Sequence, residues 1–220
     1  MTELISEQHA AGRLHATSDP EYAVLNSEIS FLCVGTPSLR NGKLDLGHIE
    51  PVCQEIGAIL KRKNEFHLVV LRSTVLPGTA ETIVVPTLER TSGKRLGKGF
   101  GVCVNPEFMR EGTAVSDFLE PSITIIGSSD TAHSRCLREV YAWVPGKVFE
   151  TSFRSAEMVK YVCNTWHAVK VAFANEIGTL AKQLSVDAES VVEIFTADTK
   201  LNICLLYTSL KSGSAPDDTT

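Results

Sequence analysis

Three short polar motifs could supply the groups of a ligand site, because each one directly follows an apolar, strand-like run. They are Val34-Gly-Thr-Pro37, Arg72-Ser-Thr-Val-Leu-Pro-Gly78 and Asn105-Pro-Glu-Phe-Met-Arg-Glu111. In an open parallel sheet, ligands bind just beyond the carboxyl ends of the strands. Hydroxyls, a glycine and two carboxylates at one such edge would suit a ligand rich in hydroxyl or phosphate groups. The sequence therefore predicts one ligand site built from three strand ends.

The first two motifs offer small and hydroxyl-bearing residues. Gly35 would let the backbone approach a ligand closely, and Pro37 would fix the direction in which the chain leaves. Thr36, Ser73 and Thr74 add hydroxyls that could hold a ribose, a phosphate or a water. Gly-Thr-Pro and Pro-Gly are also common turn formers, so a purely structural role stays open for each motif alone. The prediction rests on three motifs in succession.

The third motif carries two carboxylates. Glu107 and Glu111 are four residues apart, so they would share a face if this segment forms a helix. Paired carboxylates can bind sugar hydroxyls or take part in acid–base steps. Glu111 could instead be an ordinary carboxylate at a helix start.

A second polar set lies on a long helical pattern further along the chain. Lys160, Asn164, His167 and Asn175 fall within an arc of roughly 80° at about 100° per residue. One interpretation is a face turned toward a phosphosugar, with Lys160 as the cation and the amides as hydrogen-bond donors. The other is a solvated helix face. The charges within 154–157 are expected to lie on the surface.

The elements that must position these groups alternate between apolar runs and helical stretches. We predict strands over 29–34, 66–71, 100–104, 123–126 and 147–149, and helices over 46–63, 79–90, 113–118 and 132–143. The apolar runs are mostly continuous rather than alternating, which is typical of strands covered on both faces. Alternation of strands and helices predicts an α/β fold with a parallel sheet.

The pattern changes after residue 150. Apolar residues recur at helical spacing over 153–184, and a helix of roughly 30 residues would span about 45 Å. Such a length exceeds that of ordinary globular helices and predicts a link between domains or a subunit interface. A second helix is predicted to begin after Asp187 as its cap and to end near Phe195. The stretch 203–220 has no period and is predicted to be a disordered tail.

Composition excludes several classes of protein. The chain has 220 residues, 43% of them hydrophobic and 21% charged, and a net charge of −5. These values indicate a globular protein and argue against a nucleic-acid or anionic-membrane surface. The chain has no apolar signal core and no membrane-length stretch, so we expect a cytoplasmic protein. None of the six cysteines forms a C-x-x-C pair, which favours reduced packing residues over disulfides or a metal site.

Taken in order, these motifs resemble the UDP-glucose/GDP-mannose dehydrogenase family. The resemblance rests on the three strand-end motifs and on the stretch 156–164, and it runs from about Gly12 to Asn202. The stretches 41–50 and 164–170 look like the branch of the family that acts on GDP-mannose. A branch that acts on UDP-glucose or another UDP-sugar stays an alternative. So does a non-catalytic remnant that only pairs with another subunit.

The resemblance implies a fold and a reaction. Residues 1–150 would be the later part of a Rossmann-like NAD-binding domain. Residues 151–202 would be an incomplete central helical domain, whose long helix forms a homodimer interface. The reaction would be the two-step oxidation of the primary alcohol of GDP-mannose to GDP-mannuronate, with NAD as cofactor and a cysteine holding the intermediate.

The resemblance also implies cofactor residues. Thr36 and Thr74 match positions that contact NAD in the family. Gly35, Pro37 and Ser73 lie beside them in the same two motifs and are assigned to the cofactor site as well.

Catalytic and substrate-binding roles follow in the same way. Thr74 and Glu107 match positions that place a water and assist hydrolysis of a thioester. Lys160 and Asn164 match the pair that stabilises a developing oxyanion. The residues that match substrate-contacting positions are Glu107, Glu111, Lys160, Asn164, His167 and Asn175.

Two features of the family do not match this sequence. The family's G-x-G-x-x-G turn is not found, and no cysteine stands in a Gly-Gly-Ser-Cys-like motif. Cys204 is nearest in order, but its neighbours differ. We therefore expect the 220-residue chain, taken alone, to be inactive as a dehydrogenase.

Overall fold

The sheet predicted from the apolar runs is present. A computed structural model describes residues 2–41 and 44–198, and the predicted tail over 203–220 lies outside them. The strands are β1 (Ile29–Leu32), β2 (His67–Leu71), β3 (Arg95–Leu96), β4 (Gly99–Val104), β5 (Ile123–Gly127) and β6 (Lys147–Thr151). They form one sheet in the order β1-β2-β4-β5-β6, with β3 paired to β4. The predicted α/β class is confirmed.

One strand pair departs from the predicted parallel arrangement. Strands β1, β2 and β4 are parallel neighbours, and so are β5 and β6. In contrast, β4 and β5 meet antiparallel, at Val104 and Gly127. A parallel return needs a long crossover. The connection between β4 and β5 contains only one short helix, α5 (Ala114–Leu119), which is too short for such a crossover. The periodicity of the sequence does not show this.

Helices cover the sheet and continue beyond it. Besides α5 they are α1 (Thr2–Ala10), α2 (Pro20–Leu25), α3 (Ile49–Leu60), α4 (Val85–Ser92), α6 (Thr131–Val140), α7 (Phe153–Gln183) and α8 (Ala188–Ala197). A π-helical turn, Ala80–Val84, precedes α4, whereas the sequence predicted one continuous helix there. Pro86 lies in the first turn of α4. It has no N–H to donate to the carbonyl four residues earlier, which disfavours a regular α-helix across this junction.

The core explains why the central strand is apolar along its whole length. Every residue of β2 is buried. Val69 and Leu71 belong to the larger core cluster, and Leu68 and Val70 belong to a second cluster. Side chains alternate between the two faces of a strand, so β2 is covered on both.

The chain divides into two compact units after Val162. The first unit contains the sheet and the first turns of α7. In the second unit, the rings of Phe173 and Phe195 lie 5.5 Å apart. Asp187 caps α8, as predicted, by accepting a hydrogen bond from Glu189 N at 3.1 Å. The domain boundary at residue 150 stays a prediction. None of the helices within the described ranges is long and apolar enough to cross a membrane.

Candidate active site

The three motifs begin at one edge of the sheet because the strands before them are in register. Leu32 pairs with Leu71, and Leu71 pairs with Val104. The backbone continues this alignment past the strands, since Arg72 N donates to Leu32 O at 3.0 Å and Asn105 N donates to Leu71 O at 2.9 Å. The polar residues therefore leave the sheet side by side.

The first two motifs are joined by a hydrogen bond. The Thr36 hydroxyl donates to the Thr74 carbonyl at 2.7 Å. The Thr74 hydroxyl takes part in none of the hydrogen bonds among the described residues, so it is available to a ligand. A Cβ built on Gly35 would meet no atom within 4 Å, so the space beside this turn is open. Pro37 is exposed next to it. This edge has room and free hydroxyl capacity for a ribose or phosphate.

Ser73 has a different task from its neighbour. Its hydroxyl donates to Val34 O at 2.6 Å and also lies 3.2 Å from Leu32 O. The hydroxyl proton is thus directed at the end of β1. In this structure the side chain joins two strand ends, which is the structural role that the sequence left open for this motif.

The third motif meets the long helix at an ion pair. Lys160 Nζ lies 3.0 Å from Glu107 Oε1 and also donates to the Glu107 carbonyl. The ammonium is 5.4 Å from the centre of the Phe108 ring. Lys160 is buried, with 8% of its surface exposed, and Glu107 is half-buried. Oε2 of Glu107 accepts a hydrogen bond from Met109 N at 2.7 Å, so the carboxylate has a fixed orientation.

The segment that carries the two glutamates does not form the helix that would have given them a shared face. Residues 105–110 have no regular secondary structure, and Glu111 lies in an exposed turn. Asp117 shapes this loop by accepting hydrogen bonds from Arg110 N at 2.9 Å and Arg110 Nη2 at 2.7 Å. These contacts hold the pKa of Asp117 well below its usual value. A folded loop, rather than helical spacing, sets where the carboxylates lie.

The other predicted residues lie in the second unit. Asn164, His167 and Asn175 belong to α7, and all three are exposed. Exposure agrees with both interpretations of the polar stripe, a ligand face and a solvated face. Their roles stay predictions.

Sequence reasoning missed Glu157, which was expected to be a surface charge. Its side chain is buried, with the residue 2% exposed, and it accepts hydrogen bonds from Gly78 N and, at 2.8 Å, from Ala80 N. Burial raises the pKa of this carboxyl, while the two N–H donors act in the opposite direction. One signal was available: Glu157 precedes Lys160 by three residues, so both lie on the same face of α7.

A second polar network under the same edge was also missed. Tyr141 OH donates to Asn105 Oδ1 at 2.7 Å, and Arg72 Nη1 lies 3.0 Å from Tyr141 OH. Asn105 Nδ2 donates to Ile125 O at 2.8 Å. Arg72, Asn105 and Tyr141 directly follow β2, β4 and α6, and Ile125 lies in β5, so the network fixes the strand ends relative to one another.

The cysteines within the described ranges are free, and two are poor nucleophiles. Burial raises the pKa of both Cys53 and Cys103 to about 12. Cys33 is exposed at the end of β1. Among the residues that the structure describes, no group of three or more His, Cys, Asp or Glu side chains could hold a metal ion. Cys204 lies outside those residues.

Two family models match the sequence. Residues 1–144 match the NAD binding domain of the UDP-glucose/GDP-mannose dehydrogenase family, and residues 154–216 match the central domain of the same family. The second match ends beyond Asn202, the residue at which we place the end of the resemblance.

Curated relatives agree with these matches. The chain is 48% identical over 204 residues to a GDP-mannose 6-dehydrogenase of Pseudomonas aeruginosa, covering 93% of this chain and 47% of that protein. It is 36% identical to the UDP-glucose 6-dehydrogenase AglM of Haloferax volcanii, covering 100% of this chain and 52% of that protein. The chain thus spans about half the length of the curated relatives it matches.

A solved structure gives the same result for the fold. The crystal structure of a ternary complex of GDP-mannose dehydrogenase from Pseudomonas aeruginosa superposes with a TM-score of 0.89 at 49% identity. The match covers 91% of this chain and 46% of that one. On the family models and this identity, the chain belongs to the UDP-glucose/GDP-mannose dehydrogenase family.

Proposed function

We propose that this chain carries part of the active site of an NAD-dependent nucleotide-sugar dehydrogenase that oxidises GDP-mannose to GDP-mannuronate. The observation that carries the proposal is the ion pair of the buried Lys160 with the half-buried Glu107, at the sheet edge where Thr36 meets Thr74. The GDP-mannose enzymes among the relatives support the choice of sugar nucleotide. Each of the two oxidations removes a hydride and a proton from the substrate, and a water supplies the second carboxylate oxygen.

The residues of the first two motifs fit a dinucleotide. The open space beside Gly35 and the uncommitted hydroxyl of Thr74 would receive the ribose and phosphate groups. Thr36 would hold the Thr74 turn (residues 73–78, which end in a turn at Pro77 and Gly78) in place, and Ser73 and Pro37 would fix the backbone around it. NAD bound at this edge would accept the hydride in each oxidation.

Lys160 and Glu107 would act on the substrate side. A fixed cation stabilises negative charge that develops on an oxygen, and its effect is larger where water is excluded. Lys160 is buried, held by Glu107 and packed near an aromatic ring, so it is such a cation. Glu107 has an oriented carboxylate that can take a proton from a placed water during thioester hydrolysis. The thiol nucleophile would come from a residue other than the buried Cys53 and Cys103.

The family resemblance supplies the remaining roles. Asn164 is proposed as the second oxyanion donor, and Glu111, His167 and Asn175 as substrate contacts. We also propose that the intact enzyme acts in the cytoplasm and is a homodimer through the long helix. Large apolar side chains exposed in the second unit support an interface there: Val171 at 61%, Leu184 at 64% and Ile194 at 74%.

Two further functions have specific support. The match to a UDP-glucose 6-dehydrogenase over the whole chain favours a UDP-sugar as the second candidate substrate. The exposed apolar residues of the second unit favour a remnant that pairs with an intact subunit but does no chemistry. A pull-down with the intact Pseudomonas aeruginosa enzyme tests this last case. The remnant would bind the intact subunit but have no dehydrogenase activity of its own.

The decisive experiment uses a chimaera in which residues 1–198 replace the matching segment of the Pseudomonas aeruginosa enzyme. NADH formation is followed with GDP-mannose and with UDP-glucose. We expect turnover with GDP-mannose in the chimaera and none in the 220-residue chain alone. A folded chimaera that is inactive with both sugars would refute the proposal, and activity with UDP-glucose alone would select the second candidate.

A further inference from the structure

Glu157 lies between the two halves of the candidate site. Its carboxylate accepts from Gly78 N, at the end of the Thr74 turn, and from Ala80 N two residues later. One helical turn later on α7, Lys160 reaches Glu107. Two neighbouring side chains of one helix therefore hold two different loops of the sheet edge.

The helix that carries Glu157 is itself firmly placed at this point. Phe153 and Ala156 are buried in the main core cluster. A Cβ built on Gly127, at the end of β5, would lie 2.5 Å from Ala156 Cβ and 2.9 Å from Ser152 O. The first turn of α7 thus packs directly against the end of β5, and Glu157 projects from a fixed backbone.

The turn that Glu157 holds lacks a cap of its own. Thr79 stands before the π-helical turn, and its side chain makes no capping hydrogen bond to that turn. Gly78 has φ of +98°, a conformation that favours glycine. An unpaired buried N–H is costly, and a carboxylate near a helix N-terminus is favourable. Glu157, from α7, supplies the hydrogen-bond acceptor that the residues next to this turn do not.

We infer that Glu157 is a positioning residue that sets the Thr74 turn, and with it the proposed cofactor groups, relative to Lys160. The cofactor part of this inference rests on the proposed function. The inference deepens that proposal, because it identifies what couples the hydroxyl groups of one motif to the cation of the helix. Two charged groups act on the pKa of this carboxyl: Glu81 raises it and Arg154 lowers it, and these two side chains pair with each other at 2.7 Å.

The test compares Glu157→Gln with Glu81→Gln. Glutamine has nearly the same shape, but its NH₂ group cannot accept a hydrogen bond, so Gly78 N or Ala80 N loses its partner. Glu81→Gln removes a neighbouring charge from an exposed ion pair and is the matched control. Glu157→Asp keeps the charge on a shorter side chain and serves as the second variant.

The first readout is amide hydrogen exchange in the 220-residue chain, without NAD. We expect exchange to become about tenfold faster in Glu157→Gln at Gly78 or Ala80, whichever amide loses its acceptor, as for the loss of one buried hydrogen bond. Glu157→Asp should be intermediate, and Glu81→Gln should match the parent. Unchanged exchange at both amides in Glu157→Gln would overturn the inference, whatever the activity of the chimaera.

The second readout separates positioning from stability. In the chimaera, we expect Glu157→Gln to raise KM for NAD and to lower kcat, with the fraction of folded protein unchanged. A residue that only stabilised the fold would lower the folded fraction and leave KM for NAD as it was, and that result would refute the positioning role. A parent chimaera without turnover would refute the proposed function but leave the exchange result to decide this inference.

Discussion

The ammonium of Lys160 lies 3.0 Å from the carboxylate of Glu107, although 53 residues separate them in the chain. The pair joins the first turns of the long helix to the loop after β4. Replacing Lys160 would leave the half-buried carboxylate of Glu107 without its cationic partner. Ligands bind at this edge of the sheet in α/β folds, so we propose that the ion pair acts in the chemistry as well as in folding.

Replacing the cation gives the first prediction. Lys160→Met in the chimaera should lower kcat on the order of 100-fold or more, because the developing oxyanion loses a preorganised partner. Lys147→Met is the matched control, since Lys147 also lies over an aromatic ring, Phe149, but on an exposed strand. Steady-state NADH production measures both. Equal kcat values for the two variants would contradict the role given to Lys160.

The hydroxyl between the first two motifs gives a second prediction. Thr36→Val removes the hydrogen bond to Thr74 O and should weaken NAD binding by about 1 kcal/mol, the typical value of one such bond. Calorimetric titration of the chimaera with NAD measures the change. Thr196→Val removes a hydroxyl that donates to Val192 O on an exposed helix, and it should leave the affinity unchanged. Identical affinities for both variants would show that the Thr74 turn does not depend on Thr36.

A buried histidine gives a pH prediction. Burial lowers the pKa of His67 from 6.5 to about 4, so the folded protein keeps the ring neutral while the unfolded chain binds a proton between these values. Its stabilising contribution is therefore present above pH 6.5 and is lost as the pH falls toward 4. At about 1.4 kcal/mol per unit, the loss is on the order of 3 kcal/mol.

Urea unfolding at several pH values measures this effect. His67→Gln should flatten the decline of the unfolding free energy between neutral pH and pH 4, whereas the exposed His15→Gln should keep it. The same slope in His67→Gln as in the parent would show that other groups cause the decline.

The loop that carries the two glutamates gives a fourth prediction. Hydrogen bonds from Arg110 hold the pKa of Asp117 below its ordinary value of 3.8, so its contribution to stability is present above that pH and is lost as the pH falls through the lower, folded-state value. At pH 7, Asp117→Asn should speed amide exchange at Arg110, whose N–H donates to this carboxylate. Exposed Glu120→Gln should not. Slow exchange in both variants would show that the loop keeps its shape without the aspartate.

The sequence predicted the strands well because continuous apolar runs are hard to place anywhere except inside a sheet. The predicted strand over 66–71, for example, contains β2 (His67–Leu71), which is buried on both faces. The predicted parallel pairing of β4 with β5 was wrong, because the residue pattern of one strand does not give the direction of the strand beside it. Glu157 was missed for a related reason. The sequence alone does not distinguish a surface glutamate from a buried one, and the N–H groups that Glu157 binds belong to a turn 77 to 79 residues earlier in the chain.

The most direct test of the central claim is the number of NADH molecules formed for each GDP-mannose that the chimaera consumes. An active site completed by Thr36, Thr74, Glu107 and Lys160 from this chain should form two NADH and one GDP-mannuronate, because we propose that it carries out both oxidations. A correctly folded chimaera that forms no NADH from GDP-mannose would contradict the account.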